Sequence, residues 1–246
     1  MGMKRILVRE ALEDTGVVTL GAEEARYLGN VLRLAPADEV MLVDGQGRAW
    51  KARIVSFDDR GRKVSLEYSP LVQEADHPVP EVTVLLSLIK ATRMDQAIRQ
   101  LTEIGVARIV PVIAERSVPD VPGERRNARI DRWRKISREA LRQSRRPHLP
   151  SIEPIVDLSH ALKTWKSKGL SLAAWEGEKL QSMKDVLLGH EGPREATLLV
   201  GPEGGLTERE ADAAKAEGFR LVSLGPTILR TETAAVALAA ITLSLL

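Results

Sequence analysis

Two loops near the C-terminus hold the residues whose types and spacing are best suited to chemistry. Residues 201–205 read Gly-Pro-Glu-Gly-Gly, residues 225–230 read Gly-Pro-Thr-Ile-Leu-Arg, and each loop follows a short apolar run. Glycines let the backbone approach a bound molecule closely, and ligands of open α/β sheets bind at the carboxyl ends of the strands. The pattern therefore predicts a ligand cleft, with the carboxylate of Glu203 and the guanidinium of Arg230 close to it.

Neither loop has the pattern of a common nucleotide-binding motif. No Gly-Lys-Ser/Thr closes the first loop, and GxGxxG is missing from both, which disfavours a dinucleotide-dependent oxidoreductase. A carboxylate at Glu203 suits a neutral or cationic ligand better than a polyphosphate. The alternative interpretation is that both segments are glycine-rich turns without a ligand.

The segments next to the loops have recognisable helix signals. Thr207 and Glu210 have the spacing of a capping box, which predicts a helix start, and Gly218 is placed to end that helix. A last helix is expected from Thr231, and its segment Ala234–Ile241 is apolar nearly all round. Such a helix must be covered on more than one side, either within one chain or by a second copy.

The chain changes character after about 73 residues. The first part predicts one helix and four strands, as in a small β-barrel, and residues 74–80 are polar with two prolines, as in a linker. From residue 81 strands alternate with helices, which is typical of an α/β domain with a mostly parallel sheet. The elements expected in the first part are Lys4–Val8, Ala22–Leu34, Glu39–Val43, Arg48–Ser56 and Arg62–Tyr68.

A long basic helix is predicted at Glu124–Arg146. Residues 115–148 contain 11 lysines and arginines against 5 acidic residues. A solvated charged face is the usual explanation for such a stripe, but the predominance of arginine and the local concentration favour contact with a phosphate backbone.

Composition narrows the classes of function. The chain has 246 residues, 43% of them hydrophobic, a net charge of only +2 and no cysteine. Disulfides, thiolate zinc sites and a cysteine nucleophile are thereby excluded, and the four histidines show no metal-ligand spacing. No signal peptide or membrane span is recognised, so we expect a cytoplasmic protein without a metal.

Several segments resemble those of a known family. Leu199–Gly205 and Leu224–Ala234 are similar to the two signature segments of the RsmE family, and Thr102–Val106, Glu115–Ser117 and Gln143–Pro147 match further family segments. The resemblance implies S-adenosylmethionine-dependent methylation of N3 of a uridine in 16S ribosomal RNA. It also implies a SPOUT-type C-terminal domain with a deep trefoil knot, an N-terminal PUA-like β-barrel that binds RNA, and a homodimer formed through the last helix. The corresponding domain boundaries are 1–73, 74–80 and 81–246.

The resemblance also assigns roles to individual residues. Arg230, Arg146 and Glu232 are the candidates for catalysis, the first two because a guanidinium stabilises the uridine anion that forms when N3 loses its proton. Glu232 could orient Arg230, accept a proton or complement the last helix. Candidates for cofactor binding are Trp175, Glu176, Leu199, Val200, Gly201, Pro202, Gly204, Gly205, Leu224, Gly225, Ile228, Leu229 and Thr233. Candidates for RNA binding are Arg9, Arg33, Arg116, Arg138, Arg142, Gln143 and Arg145.

Two points stay open at this level. Val31-Leu32-Arg33 matches a family segment that usually has a histidine just before it, where this chain has Tyr27-Leu28. Whether Tyr27 does the same work is an open question. The alternatives for function are a non-catalytic RNA-binding or ribosome-assembly protein and a SPOUT methyltransferase with another RNA target.

Overall fold

A computed structural model describes residues 3–8, 10–58, 60–70, 80–117, 122–144, 146, 148–178 and 181–246. The chain divides into two compact units. The first comprises residues 1–76 together with 141–149, and the second comprises 77–140 together with 150–246. The expected linker at 74–80 falls almost wholly outside the described residues.

The first unit is built on a five-stranded sheet with the path β1-β3-β4-β5-β2. β1 pairs parallel with β3, and the other neighbours are antiparallel. Four strands were expected, and β2 was missed because its sequence, Gly-Val-Val-Thr-Leu, is short and follows a polar loop. The strands are β1 Lys4–Leu7, β2 Gly16–Leu20, β3 Glu39–Val43, β4 Ala49–Phe57 and β5 Val64–Pro70.

The helix expected at Ala22–Leu34 is shorter and irregular. Helix α1, Ala22–Arg26, continues as a single π-helical turn at Tyr27–Val31. Arg33 has a positive φ of 55°, a backbone conformation that ends a helix. The π turn buries Leu28 completely and leaves Val31 63% exposed.

The turn between β3 and β4 is tightly hydrogen-bonded. Asp44 Oδ1 accepts hydrogen bonds from the amides of Gln46 (2.8 Å) and Arg48 (3.1 Å), and Oδ2 accepts one from Arg48 Nε at 2.7 Å. Burial opposes ionisation of Asp44, but these hydrogen bonds outweigh it and hold the pKa of the carboxyl below its ordinary value. Gly45 O accepts a hydrogen bond from the amide of Leu149 at 2.8 Å, so this turn also holds the segment 148–149 to the first unit.

The second unit contains a seven-stranded sheet with the order β12-β10-β11-β6-β7-β8, and β9 also pairs with β7. Every described strand pair in it is parallel, which confirms the expected parallel sheet. The strands are β6 Glu81–Ser87, β7 Arg108–Ile113, β8 Ser151–Ile152, β9 Val156–Asp157, β10 Leu170–Ala174, β11 Glu195–Val200 and β12 Arg220–Val222. The helices are α2 Ala91–Ile104, α3 Gly123–Ser144, α4 Leu158–Thr164, α5 Met183–Leu188, α6 Glu208–Ala216 and α7 Thr231–Leu245.

Pro111 lies in β7, a strand with partners on both sides. β7 lies next to the centre of the sheet, and on its other side β8 pairs only with Arg108 and Ile109, and β9 only with Val112 and Ile113. Pro111 therefore falls in the gap between two short partner strands, where the proline's missing N–H costs the least.

Local signals around the last two strands are confirmed. Thr207 and Glu210 form a reciprocal capping box at the start of α6, and Gly218 after it has a φ of 91°. Helix α7 packs against α2, α5, β6 and β11. No helix within the described residues is long and apolar enough to cross a membrane.

Candidate functional site

A cleft of about 570 Å³ lies at the carboxyl ends of three neighbouring strands, β12, β10 and β11. Its walls are the segments 174–178 after β10, 200–205 around the first glycine loop, and 222–229 around the second. β10 separates the two loop-bearing strands in the sheet, so its own loop forms the floor between them. The expectation that both glycine loops belong to one cleft is met.

Ten of the thirteen residues expected to bind a cofactor line this cleft. They are Trp175, Glu176, Val200, Gly201, Pro202, Gly205, Leu224, Gly225, Ile228 and Leu229. The other three do not. Leu199 points into a core cluster and is fully buried, Gly204 faces the side chain of Arg116, and Thr233 is exposed in the first turn of α7.

Sequence reasoning missed several polar residues of the cleft. Ser182, the N-cap of α5, and Ser223, just after β12, both line it, as do Glu178 and Thr227. Ser182 caps α5, since its side chain accepts a hydrogen bond from the amide of Asp185 at 3.2 Å. Its proximity to the cleft depends on strand order, which the sequence does not contain.

Glycine is required in the first loop because the loop folds back on itself. A Cβ at Gly201 would lie 3.0 Å from the amide nitrogen of Leu206 and 3.2 Å from the carbonyl carbon of Gly205. Gly205 has a φ of 69°, a conformation that other residues rarely adopt, and its amide donates to Pro202 O at 2.9 Å. The loop is thus a tight turn with its backbone exposed to the cleft.

Arg116, which was predicted to bind RNA, contacts the first loop. Its Nη1 donates a hydrogen bond to Gly204 O at 2.8 Å. Its aliphatic carbons lie next to the position that a Cβ of residue 204 would occupy. The neighbouring amide of Glu115 donates to Glu210 Oε1 at 2.8 Å. The turn after β7 therefore supports the glycine loop and the start of α6.

The three residues expected to act in catalysis lie in different environments. Arg230 is the exposed N-cap of α7 and stands between two cleft residues, Leu229 and Thr231. Glu232 is buried, is absent from the cleft lining and lies 3.8 Å from Arg93 Nε. Arg146 belongs to the first unit and is absent from the lining of this cleft, and its burial lowers the pKa of the guanidinium. The structure therefore brings only Arg230 to the cleft wall.

Glu232 has the features of a residue that complements a helix terminus. It lies in the first turn of α7, where a carboxylate interacts favourably with the positive end of the helix dipole. No contact with Arg230 is found in the described part of the chain, so the idea that Glu232 orients that arginine has no support in the geometry.

The remaining residues expected to bind RNA differ in exposure. Arg33 and Gln143 are exposed and Arg138 is half-buried, whereas the Arg142 side chain is only 16% exposed and lies 3.7 Å from Glu23. Arg9 and Arg145 lie outside the described residues.

Tyr27 has a structural partner in the same unit. The Arg142 guanidinium lies over its ring, 5.7 Å from the ring centroid, within the range of a cation–π interaction. Tyr27 therefore holds an arginine of the basic helix against the π turn.

The charged residues found in the cleft lining are acidic. Three carboxylates, Glu176, Glu178 and Glu203, belong to its lining, and no lysine or arginine is found among the described lining residues. Acidic walls favour a ligand with positive charge. In the part of the chain that the structure describes, no cluster of histidine and acidic residues could hold a metal ion.

Family models match both parts of the chain. The model described as an RNA methyltransferase domain matches residues 75–243, and the model described as an RNA methyltransferase PUA domain matches residues 20–64. The first match contains all strands of the parallel sheet, and the second contains β3 and β4.

Relatives that all bear one name align over nearly the whole of this chain. A Ribosomal RNA small subunit methyltransferase E from Mycobacterium bovis is 33% identical over 238 residues, covering 94% of this chain and 88% of the relative. One from Synechocystis is also 33% identical, with 94% and 74% covered. A solved structure of a Ribosomal RNA small subunit methyltransferase E from Neisseria gonorrhoeae, bound to S-adenosyl methionine, is 33% identical with a TM-score of 0.89 over 99% of this chain and 98% of that one. The chain therefore belongs to the family of ribosomal RNA small subunit methyltransferases E, the RsmE family.

Proposed function

We propose that this protein transfers the methyl group of S-adenosylmethionine to N3 of a uridine in 16S ribosomal RNA. The observation that carries the proposal is the cleft, which is lined by both signature loops of the family, after β11 and β12 on either side of β10. Its relative from Neisseria gonorrhoeae, similar over nearly the full chain, was crystallised with S-adenosyl methionine.

The residues of the cleft fit this cofactor. A volume of about 570 Å³ lies within the range of small-molecule sites, roughly 300–1,000 Å³. Gly201 and Gly205 carry no side chain and line the cleft, so the backbone of the first loop can approach a ligand closely. Three carboxylates suit a molecule that carries a sulfonium and an ammonium group.

Apolar contacts in the cleft come from the second loop. Ile228 is 84% exposed, unusual for a large apolar side chain, and it lines the cleft beside Leu229. A flat aromatic group such as adenine would cover this apolar surface and remove it from water.

Bound S-adenosylmethionine supplies an electrophilic methyl group, and the chain must supply a competent nucleophile. N3 of uridine carries a proton at neutral pH, and its loss spreads negative charge onto O2 and O4. Arg230 is the N-cap of α7, and its guanidinium forms no hydrogen bond or ion pair with the described residues. An unengaged guanidinium beside the cleft can stabilise that anion. We therefore assign the role of anion stabilisation to Arg230 and not to Glu232, which is buried beside Arg93.

Polar residues of each unit supply candidate contacts to RNA. Arg33 and Gln143 are exposed in the first unit, and Arg138 in the second unit is half-buried. Arginines at helical spacing suit a phosphate backbone. The target base must leave its stack to be methylated, with an unstacking cost of about a few kcal/mol.

The surface of α7 supports a homodimer. The helix buries Ala235, Leu238 and Ala239 within its own unit, while Ile241 and Leu245 remain 38% and 40% exposed. Ala237 is half-buried on the same helix and would allow close approach of a second copy. We propose that two chains associate through this face.

Three finer features of the fold belong to the same proposal. They are a trefoil knot in the second unit, closure of the five-stranded sheet into a PUA-like barrel, and domain boundaries at 1–73 and 81–246. The PUA model over residues 20–64 supports the barrel, and the start of the methyltransferase model at residue 75 supports a boundary between the domains. A cytoplasmic location follows from a substrate that is ribosomal RNA.

The proposal is tested by mass spectrometry of nucleosides from 16S RNA of cells that lack the protein. We expect 3-methyluridine to be lost, and to be restored by the wild-type gene but not by Arg230→Ala. Unchanged 3-methyluridine together with loss of another methylated nucleoside would indicate a different RNA target. Unchanged methylation together with a defect in subunit assembly would indicate a non-catalytic assembly protein.

A further inference from the structure

Arg93 lies between two carboxylates, one in the first glycine loop and one in the first turn of α7. It belongs to the first turn of α2. Its Nη1 is 3.5 Å from Oε1 of Glu203 in the first glycine loop, and its Nε is 3.8 Å from Oε1 of Glu232 at the start of α7. The two acidic residues are separated by 29 positions in sequence, so one guanidinium links the loop after β11 to the helix that follows the second loop.

The contact with Glu232 matters because that carboxylate is buried. Its side chain is 7% exposed, and its Oε2 has no hydrogen-bond partner. Within the described residues, Arg93 is its one ion-pair partner. A buried carboxylate without a counter-charge is strongly unfavourable, so Arg93 fixes the position of this end of α7.

The contact with Glu203 acts on the first glycine loop. Glu203 Oε1 also accepts a long hydrogen bond, 3.5 Å, from the amide of Lys90, the N-cap of α2. The start of α2 thus holds the tip of the glycine loop through a backbone amide and a guanidinium. Both groups are positive in character, and the Glu203 side chain is only 23% exposed.

We propose that Arg93 is a positioning residue that sets the distance between the first glycine loop and the start of α7, where Thr231 and Ala234 line the methyl-donor cleft. This inference rests on the proposed function. Without the guanidinium, Glu203 and Glu232 would repel each other across the gap it occupies. The first loop and the start of α7 would then separate, and the donor would have to bring them together again at the expense of its own binding free energy.

The test compares donor binding among purified full-length variants, by isothermal titration calorimetry with S-adenosylmethionine at a temperature well below unfolding. Arg93→Met removes the charge and keeps much of the stem, and we expect its Kd to rise by at least about tenfold. Arg93→Lys restores a positive charge and should return the Kd to within about threefold of wild type, since a lysine is a point charge without the guanidinium fork. Asp95→Asn is the matched control on the same helix. It breaks the exposed pair with Arg132 and should change the Kd less than about twofold.

A purely structural role predicts a different result. In that case Arg93→Met would lower the melting temperature and leave the Kd unchanged, and this outcome overturns the inference. If Arg93→Met fails to fold, Glu203→Gln keeps the Glu232 pair and breaks only the loop contact. We expect weaker donor binding in Glu203→Gln, and an unchanged Kd would overturn the inference.

The outcome for the wild type separates the two proposals. If wild-type protein does not bind S-adenosylmethionine, the proposed function fails. If wild type binds it and Arg93→Met binds equally well, only the role of Arg93 fails. A folded Arg93→Met/Glu203→Gln double variant should bind no more weakly than Arg93→Met, because both changes break the same contact.

Discussion

Substitution of Gly201 by alanine tests the geometry of the first loop. The new Cβ would lie 3.0 Å from both the Leu206 amide nitrogen and Leu206 Cγ, and 3.2 Å from the Gly205 carbonyl carbon. Two of these three atoms are backbone, so rotation of a side chain does not relieve the contacts. Overpacking of this kind costs about 1–3 kcal/mol.

The loop can relieve that strain by opening, and this deforms the wall of the cleft. If the donor binds only to the original loop conformation, the free energy needed to restore that conformation raises the Kd for S-adenosylmethionine by roughly 5- to 150-fold. Isothermal titration calorimetry measures the Kd, and a thermal scan shows that the variant is folded.

Two glycines serve as controls for this substitution. A Cβ at Gly204 would touch only the flexible side chain of Arg116, at 3.2 Å, and a Cβ at Gly123 would meet nothing within 4 Å. Gly204→Ala should therefore weaken binding much less than Gly201→Ala, and Gly123→Ala should have no effect on it. If Gly201→Ala binds the donor as tightly as wild type, the loop does not form the donor site in the way described.

Three further predictions concern assembly and stability. Ala237→Asp should convert the dimer to a monomer in sedimentation and abolish methyl transfer, because it places a charge in the proposed α7 interface; a dimer of unchanged mass would contradict that interface. Asp44→Ala should lower the free energy of unfolding at pH 7 by about 1–3 kcal/mol in urea titrations. Since folding lowers the pKa of Asp44, this stabilisation is present above about pH 4 and is lost as pH falls through the folded pKa; a difference independent of pH would refute it. Thr207→Ala removes the capping box of α6 and should cost about 1 kcal/mol, whereas Thr233→Ala, on an exposed position, should be nearly neutral to unfolding.

Local features of the fold could be read from the sequence because their causes are local. The capping box needs only Thr207 and Glu210 at the right spacing, and the left-handed turn after α6 needs only Gly218. The buried face of α3 also follows helical spacing, and Trp133 and Ser137 on it are 2% and 1% exposed.

Features that depend on long-range pairing could not be read in the same way. Nothing in the segment 170–174 indicates that β10 lies between the two loop-bearing strands, so the roles of Glu178 and Ser182 in the cleft were missed. The π turn at Tyr27–Val31 has the composition of an ordinary helix, and its partner Arg142 lies 115 positions away in sequence. These contacts depend on strand order and on packing between residues that are distant in sequence.

Arginines were the hardest residues to assign from sequence. A guanidinium at the surface suits RNA, an ion pair or a backbone carbonyl equally well, and only contacts distinguish these roles. Arg116 was predicted to bind RNA, and in the structure it supports the glycine loop. Arg93 was not among the predicted site residues, and in the structure it links two carboxylates.

The central claim is that the cleft at the ends of β12, β10 and β11 holds the methyl donor, and a crystal structure of this protein with S-adenosylmethionine tests it most directly. We predict the nucleoside between the segments 200–205 and 222–229, with its methyl group on the side of Arg230. A donor bound elsewhere on the chain, with this cleft empty, would contradict the account.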